Sequence, residues 1–178
     1  MNKKDKVSNE KKNLNRIAGE LLVASRLTQR GYMIALQWGN TIGYDILAFD
    51  KDGEVAYIEV KTSASYTRRW MLQKKYANPD DENIPLDRRF VCCVDFAAKK
   101  NEPDIYVFPM KLVGEGLHYY FSNKFPNSPS YHLSLDFKPQ GSKKLESTKG
   151  GIMTVSQKIK SEIYLENYEI LKLKKIEK

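Results

Sequence analysis

Gly43-Tyr44-Asp45-Ile46-Leu47-Ala48-Phe49-Asp50-Lys51-Asp52-Gly53-Glu54-Val55-Ala56-Tyr57-Ile58-Glu59-Val60-Lys61-Thr62 is the stretch on which the fold turns. Tyr44 to Phe49 and Val55 to Lys61 are β-type runs, and Asp50-Lys51-Asp52-Gly53 between them carries turn chemistry, so together they predict a hairpin. Residues i and i+2 of a strand share a face, which sends Glu59 and Lys61 out together while Val60 turns into the core. Val55 and Tyr57 lie on the same face as that pair, and charges at the end of such a half-buried face call for a reason.

The reversal of the hairpin brings the start of the first strand beside the end of the second, so Asp45 can meet Glu59. Two carboxylates at that separation repel unless something positive sits between them. A hard divalent cation with oxygen ligands, Mg2+ or Mn2+ in its place, answers that need. The Val60 backbone carbonyl can add a further oxygen. Such a site suits phosphodiester hydrolysis, because a metal ion polarises the phosphoryl oxygen, acidifies a bound water and stabilises the leaving oxygen. Lys61 would steady the attacking hydroxide or the developing negative charge.

Working outward toward the N-terminus, Leu14, Ile17, Ala18, Leu21, Leu22 and Ser25 recur at helical spacing, and Gly31 stands where a C-terminal cap belongs. Tyr32 to Leu36 reads as a short strand. Met1 to Lys12 is almost wholly polar and is expected to be a mobile basic tail. On the other side of the hairpin, Ser63 to Asp87 is polar apart from Trp70-Met71-Leu72, where a short strand or helix is expected. Arg89 to Phe96 and Ile105 to Pro109 read as buried strands, and Lys111-Leu112-Val113 opens a short helix. Residues 114 to 151 are rich in Tyr, Phe, Pro, Asn and Ser and read as loops. Val155, Ile159 and Ile163 then predict a terminal helix. The chain is thus expected to hold a tail over 1–12, a core over 13–113, and an extension over 114–178 packed on that core.

The bulk numbers agree with one compact unit. The chain has 178 residues, 41% hydrophobic and 29% charged, which excludes disordered and fibrous classes. A net charge of +8 attracts polyanions, nucleic acid first among them. Cys92 and Cys93 are adjacent in an apolar run, so they point to opposite faces and read as reduced strand residues, with no spacing for a metal knuckle. No segment approaches the roughly 20 apolar residues of a membrane span, and a cytoplasmic location without membrane attachment is expected.

Gly19-Glu20 in the first helix, Gly31-Tyr32 after it, Gly43-Tyr44-Asp45-Ile46-Leu47-Ala48, and Ile58-Glu59-Val60-Lys61-Thr62 together resemble the PD-(D/E)XK superfamily, which includes restriction endonucleases and archaeal Holliday-junction resolvases. The likeness covers roughly residues 13 to 110. It implies an α/β fold with a restriction endonuclease-like αβββαβ core, a central mixed sheet flanked by helices, Mg2+-dependent DNA cleavage, and a first-helix glutamate that assists the metal site. Asp45, Glu59 and Lys61 fall on the core motif, and Glu20 on the helix position. Tyr44 occupies the place of the motif's proline. Arg69 to Lys75, Phe90 to Asp95 and Pro103 to Pro109 look like an uncharacterised bacterial branch of the same superfamily.

Blander readings stand beside these. Glu20 lies between Arg16 and Arg26 and can be a solvated or paired helix glutamate. Lys74 and Lys75 read as a solvated face or as phosphate contacts, and Gln73 is equally open. His118 and His132 have no ligand-like spacing, and Trp70 is a core residue by default. The expected function is a Mg2+-dependent DNA nuclease with Glu20, Asp45, Glu59 and Lys61 as its catalytic set and Asp45, Glu59 and Val60 as metal ligands. A homodimer would suit cleavage of both strands. The alternative is a non-catalytic nucleic-acid-binding module that retains the nuclease fold, distinguishable by salt-dependent DNA binding without divalent-metal binding.

Overall fold

The computed structural model describes residues 9–37, 43–65, 69–79, 83–98, 101–118, 127, 131–134 and 161–173. A long helix, α1 (Asn9–Gln29), is followed by strands β1 (Met33–Leu36), β2 (Ile46–Phe49) and β3 (Val55–Ser63). A short strand, β4 (Arg69–Leu72), and two 3-10 turns (Lys74–Ala77 and Leu86–Arg88) lead to β5 (Arg89–Asp95) and β6 (Asp104–Pro109). Helix α2 (Met110–Leu117), strand β7 (Tyr131–Ser134) and two more 3-10 turns (Ser161–Tyr164 and Tyr168–Leu171) complete the described chain.

The central sheet has the order β1-β2-β3-β5-β6. Its β1–β2, β2–β3 and β5–β6 pairs are antiparallel, and β3–β5 is parallel. This is the mixed sheet flanked by helices that the resemblance implied. Its crossover from β3 to β5, where the αβββαβ order places a helix, carries β4 and the two 3-10 turns. Pro79 and Pro85 interrupt that stretch, and a proline removes a backbone donor that a continuing helix needs.

The β2–β3 turn sets the register on which the site depends. Asp50 Oδ1 accepts hydrogen bonds from the amides of Asp52 (2.8 Å) and Glu54 (2.9 Å), and the Gly53 amide donates to the Asp50 carbonyl (3.2 Å). Gly53 takes φ +83°, a left-handed conformation that favours a residue without a Cβ. The strands then pair Phe49 with Val55 and Ile46 with Ile58. Asp45 precedes the strand proper, yet its amide donates to the Ile58 carbonyl at 2.9 Å, so it stays in line with the ladder.

Both faces of the sheet are covered, and alternate residues of β5 serve the two layers. Phe90, Cys92 and Val94 pack with Val23, Leu27, Ile58 and Val60 under α1, joined by Tyr168, Leu171 and Leu173 from the C-terminal segment. Val91 and Cys93 pack on the other side with Trp70, Tyr76, Leu133 and the α2 residues Met110, Val113 and Leu117. All seven β5 residues are consequently buried, as expected for a strand walled on both sides. The thiols of Cys92 and Cys93 are free and buried, and burial pushes both well above the ordinary thiol range. Neither should react with a thiol reagent such as iodoacetamide in the native protein, and both should react once denaturant unfolds it. A mass spectrum showing labelling under native conditions would contradict this placement.

Three expectations are corrected. Helix α1 begins at Asn9, inside the stretch 1–12 expected to be a mobile tail. Strand β7 lies in the region read as loops, pairing with β4 so that Trp70 faces Leu133 and Leu72 faces Tyr131. Ile163, expected in a terminal helix, sits in a 3-10 turn, while Val155 and Ile159 lie outside the described residues.

Candidate metal-dependent hydrolytic site

Helix α1 reaches the sheet at Gly19. The helix closes with two bonds of the αL-capped type: the Tyr32 amide donates to the Leu27 carbonyl (3.2 Å) and the Gly31 amide to the Thr28 carbonyl (3.0 Å). Tyr32 and Leu27 both enter the core, which anchors that end. At the other contact, a Cβ on Gly19 would stand 2.2 Å from Thr62 Cγ2 of β3. Only glycine permits this approach, and it is what sets Glu20 beside the strand that carries Glu59 and Lys61.

A Gly19→Ala substitution should therefore destabilise the protein. Overpacking against a β-branched neighbour costs about 1–3 kcal/mol, against the roughly 1 kcal/mol that alanine gains over glycine within a helix. Thr62→Ser, which removes the colliding methyl, should restore much of that loss in a denaturant titration of the double variant. Absence of rescue would show that the two residues do not meet as described.

On β3, Glu59 is buried and Lys61 half-buried, and their side chains form a direct ion pair. Glu59 Oε2 is buried with no hydrogen-bond partner among the described residues. Asp45 Oδ2 accepts a hydrogen bond from the Val60 amide at 2.7 Å, which ties the first acid to the strand carrying the second. The β2–β3 ladder stops at Ile46 and Ile58 while the β3–β5 ladder runs on to Ser63. The end of β3 thus outruns β2, and Glu20 of α1 is near enough to interact with both Asp45 and Lys61.

Glu20 is itself buried and receives a hydrogen bond from Arg16 at 2.6 Å. Burial raises its carboxyl above the ordinary range and the Asp45 charge raises it further, while Arg16 and Lys61 pull it back. Glu20 is thus both a paired helix glutamate and a neighbour of the site, because Arg16 bonds it while the charges of Asp45 and Lys61 also act on it.

Of the residues read from the sequence as a site, the structure ties Asp45, just before β2, to Val60 of β3, pairs Glu59 with Lys61 on the same strand, and sets Glu20 near Asp45 and Lys61. Among the described residues, no group of three or more His, Cys, Asp or Glu side chains is arranged to hold a metal ion. A cation here would rest on two carboxylates, a backbone carbonyl and water. That fits Mg2+, which usually keeps several waters and takes only one or two carboxylates. The unpartnered Glu59 Oε2 is an oxygen that such an ion would satisfy.

Sequence reasoning did not find Tyr76. Its ring lies 5.8 Å from Lys61 Nζ and 5.5 Å from Lys75 Nζ. No local pattern marks such a contact, because it joins β3 to the 3-10 turn after β4.

Fold and site together define a mixed α/β domain with an acidic pair and a lysine on a central hairpin. Residues 20–76 match the family described as "Protein NO VEIN, C-terminal", a span that begins at Glu20, ends at Tyr76 and includes Asp45, Glu59 and Lys61. Among solved structures, one titled as a bacterial homing endonuclease aligns over 93% of this chain and 92% of its own, with a TM-score of 0.47 and 16% identity. At that distance no residue role passes from it to this chain. No curated protein matches. Among the described residues no helix is long and apolar enough to cross a membrane.

Proposed function

We propose that this chain is a metal-dependent DNA nuclease with a site of the PD-(D/E)XK kind. The observation that carries the reading is the joining of Asp45 to β3 through the Val60 amide, beside a buried Glu59 whose second oxygen has no partner among the described residues. Asp45, Glu59 and the Val60 carbonyl would hold Mg2+, or Mn2+ in its place. Such an ion, when bound, supplies Lewis acidity toward the phosphoryl oxygen and a water acidic enough to attack near neutral pH.

The chain's own groups do the rest. Lys61, oriented by its ion pair with Glu59, presents an ammonium to the negative charge that grows on the phosphoryl oxygens. Glu20, fixed by Arg16, orients a water from the α1 side of the same opening. The surplus of positive charge, +8 in all, draws the polyanionic substrate toward the protein. A second copy would supply the second site that a double-strand cut requires.

The test is incubation of the protein with single-stranded, duplex and branched DNA in Mg2+ or Mn2+, each against an EDTA control. Metal-dependent breakage of at least one form is expected, and intact DNA throughout would end the proposal. One observation favours the second reading, a DNA-binding module without catalysis: the Glu59–Lys61 ion pair already balances one of the acids, and no third acid completes a ligand cluster among the described residues. Calorimetry separates the two, since only the nuclease reading requires Mg2+ or Mn2+ to bind and Asp45→Ala to weaken that binding.

A further inference from the structure

Beyond the acids, the side of the sheet that bears Lys61 carries a second organised feature. The turn Lys74–Ala77 places Gln73, Lys74 and Lys75 at the surface while Tyr76 and Ala77 are buried. Lysines on an exposed turn would ordinarily range through solvent. Here each ammonium stands over an aromatic ring: Lys75 Nζ lies 5.5 Å from the Tyr76 centroid, and Lys74 Nζ lies 5.7 Å from the centroid of Tyr131 on β7. Both rings are buried and therefore rigid, so each modestly favours a position for the charge above it. The Tyr76 ring is shared with Lys61, 5.8 Å away, which links the turn directly to the hydrolytic site.

The three cations are thus linked in succession, Lys61 and Lys75 through one ring and Lys75 to Lys74 through the chain. The succession runs from Lys61 on β3, across Tyr76 to Lys75, and on to Lys74 above Tyr131. Arg69, exposed on β4, adds its charge to the same two-stranded ribbon, where His132 registers it. Like charges held close repel one another, and an extended polyanion laid along them relieves that repulsion. A succession of positive charges leading away from one carboxylate pair matches a nucleic-acid strand, whose phosphates succeed one another from the bond that is cut.

We propose that Lys75 and Lys74 hold the phosphates that follow the scissile one, so that the β4–β7 ribbon and the turn after it form the track along which the DNA strand enters the site. This rests on the nuclease reading for the position of the scissile phosphate. It assigns the two lysines to substrate binding and leaves the chemical step to Glu20, Asp45, Glu59 and Lys61.

The experiment measures two quantities on the full chain carrying Lys75→Ala, Lys74→Ala, both together, or Lys51→Ala. Lys51 is an exposed lysine on the β2–β3 turn, at the far end of the hairpin, and serves as an equal-charge control. Binding of a fluorescein-labelled DNA is followed by anisotropy in EDTA over a range of salt, and cleavage is followed in Mg2+ as kcat and KM separately. Each track lysine should weaken binding several-fold and reduce the slope of log K against log salt by about 1. KM should rise and kcat at saturating DNA should stay near the parent value, with Lys51→Ala matching the parent.

Equal slopes and affinities in parent and track variants, or the same loss in Lys51→Ala, would overturn the track. So would a fall in kcat at unchanged KM, which would put Lys75 in the chemistry. If the parent cuts no DNA yet binding still depends on Lys74 and Lys75, the nuclease reading fails while the phosphate track stands.

Discussion

Asp45→Ala is expected to lower the rate of Mg2+-dependent DNA cleavage by at least about 10²- to 10³-fold, the usual effect of removing one charge-stabilising contact from a transition state, and to leave the protein folded. The side chain is half-buried, and among the described residues its hydrogen bond is the one it accepts from the Val60 amide at 2.7 Å. Losing that bond leaves the Val60 amide without this acceptor and costs about 1–3 kcal/mol, too little to unfold a typical domain with some 5–15 kcal/mol in hand. Asp45→Asn sharpens the comparison, because it keeps an oxygen for the Val60 amide and removes the charge. It should be as inactive as the alanine variant and melt closer to the parent. Cleavage time courses alongside melting curves decide the matter, and an alanine variant that cuts as fast as the parent would remove Asp45 from the mechanism.

The largest stability effect is expected at Trp70. The residue is fully buried at the centre of the second apolar layer, and its Nε1–H donates to the Val94 carbonyl of β5 at 2.9 Å. Its ring meets Tyr106 edge-on, with centroids 6.2 Å apart. Truncation to alanine removes both the packing and the hydrogen bond, and Trp→Ala in a core costs about 3–5 kcal/mol. Trp70→Phe keeps most of the ring volume and leaves the Val94 carbonyl without this donor, so it should cost about 1–3 kcal/mol. Guanidinium titrations measure both. A Trp70→Ala loss below that of Trp70→Phe would mean that β4 is not seated on the sheet as described. Because β4 also carries the turn with Lys74 and Lys75, the alanine variant should loosen DNA binding as well.

How far the sequence disclosed this molecule depends on the range of the interactions involved. The hairpin was legible because its signals are local: the alternation of Ala56, Ile58 and Val60 against Tyr57, Glu59 and Lys61, and a turn closed by Asp50 and Gly53. From that register the meeting of Asp45 with β3 follows almost without further information. Strands β5 and β6 were legible as apolar runs, since a strand walled on both faces needs apolar residues throughout. Strand β7 was not legible. Tyr131-His132-Leu133-Ser134 lies among prolines, serines and asparagines, and only its partner β4, far back in the chain, makes it a strand.

The site was split in the same way. Glu59 and Lys61 show themselves by spacing alone, whereas Glu20 comes near them only because Gly19 lets the helix approach Thr62 closely, a contact that joins distant parts of the chain. Lys74 and Lys75 read as an ordinary charge run until Tyr76 and Tyr131 are found beneath them. The N-terminal turn of α1 escaped notice because Asn9 to Lys12 is polar, and most of that part of the helix faces solvent.

The parallel seam between β3 and β5 divides the sheet into a three-stranded meander completed by residue 63 and a two-stranded antiparallel unit begun only at residue 89. Closing a seam across so long an intervening segment carries an entropic cost that neighbouring antiparallel strands do not meet. A nascent chain halted before Arg89 already contains Glu20, Asp45, Glu59, Val60 and Lys61, yet it lacks the strand against which Glu59 and Lys61 are braced. The order of synthesis therefore withholds a finished centre from the growing polypeptide until the β5–β6 pair has emerged.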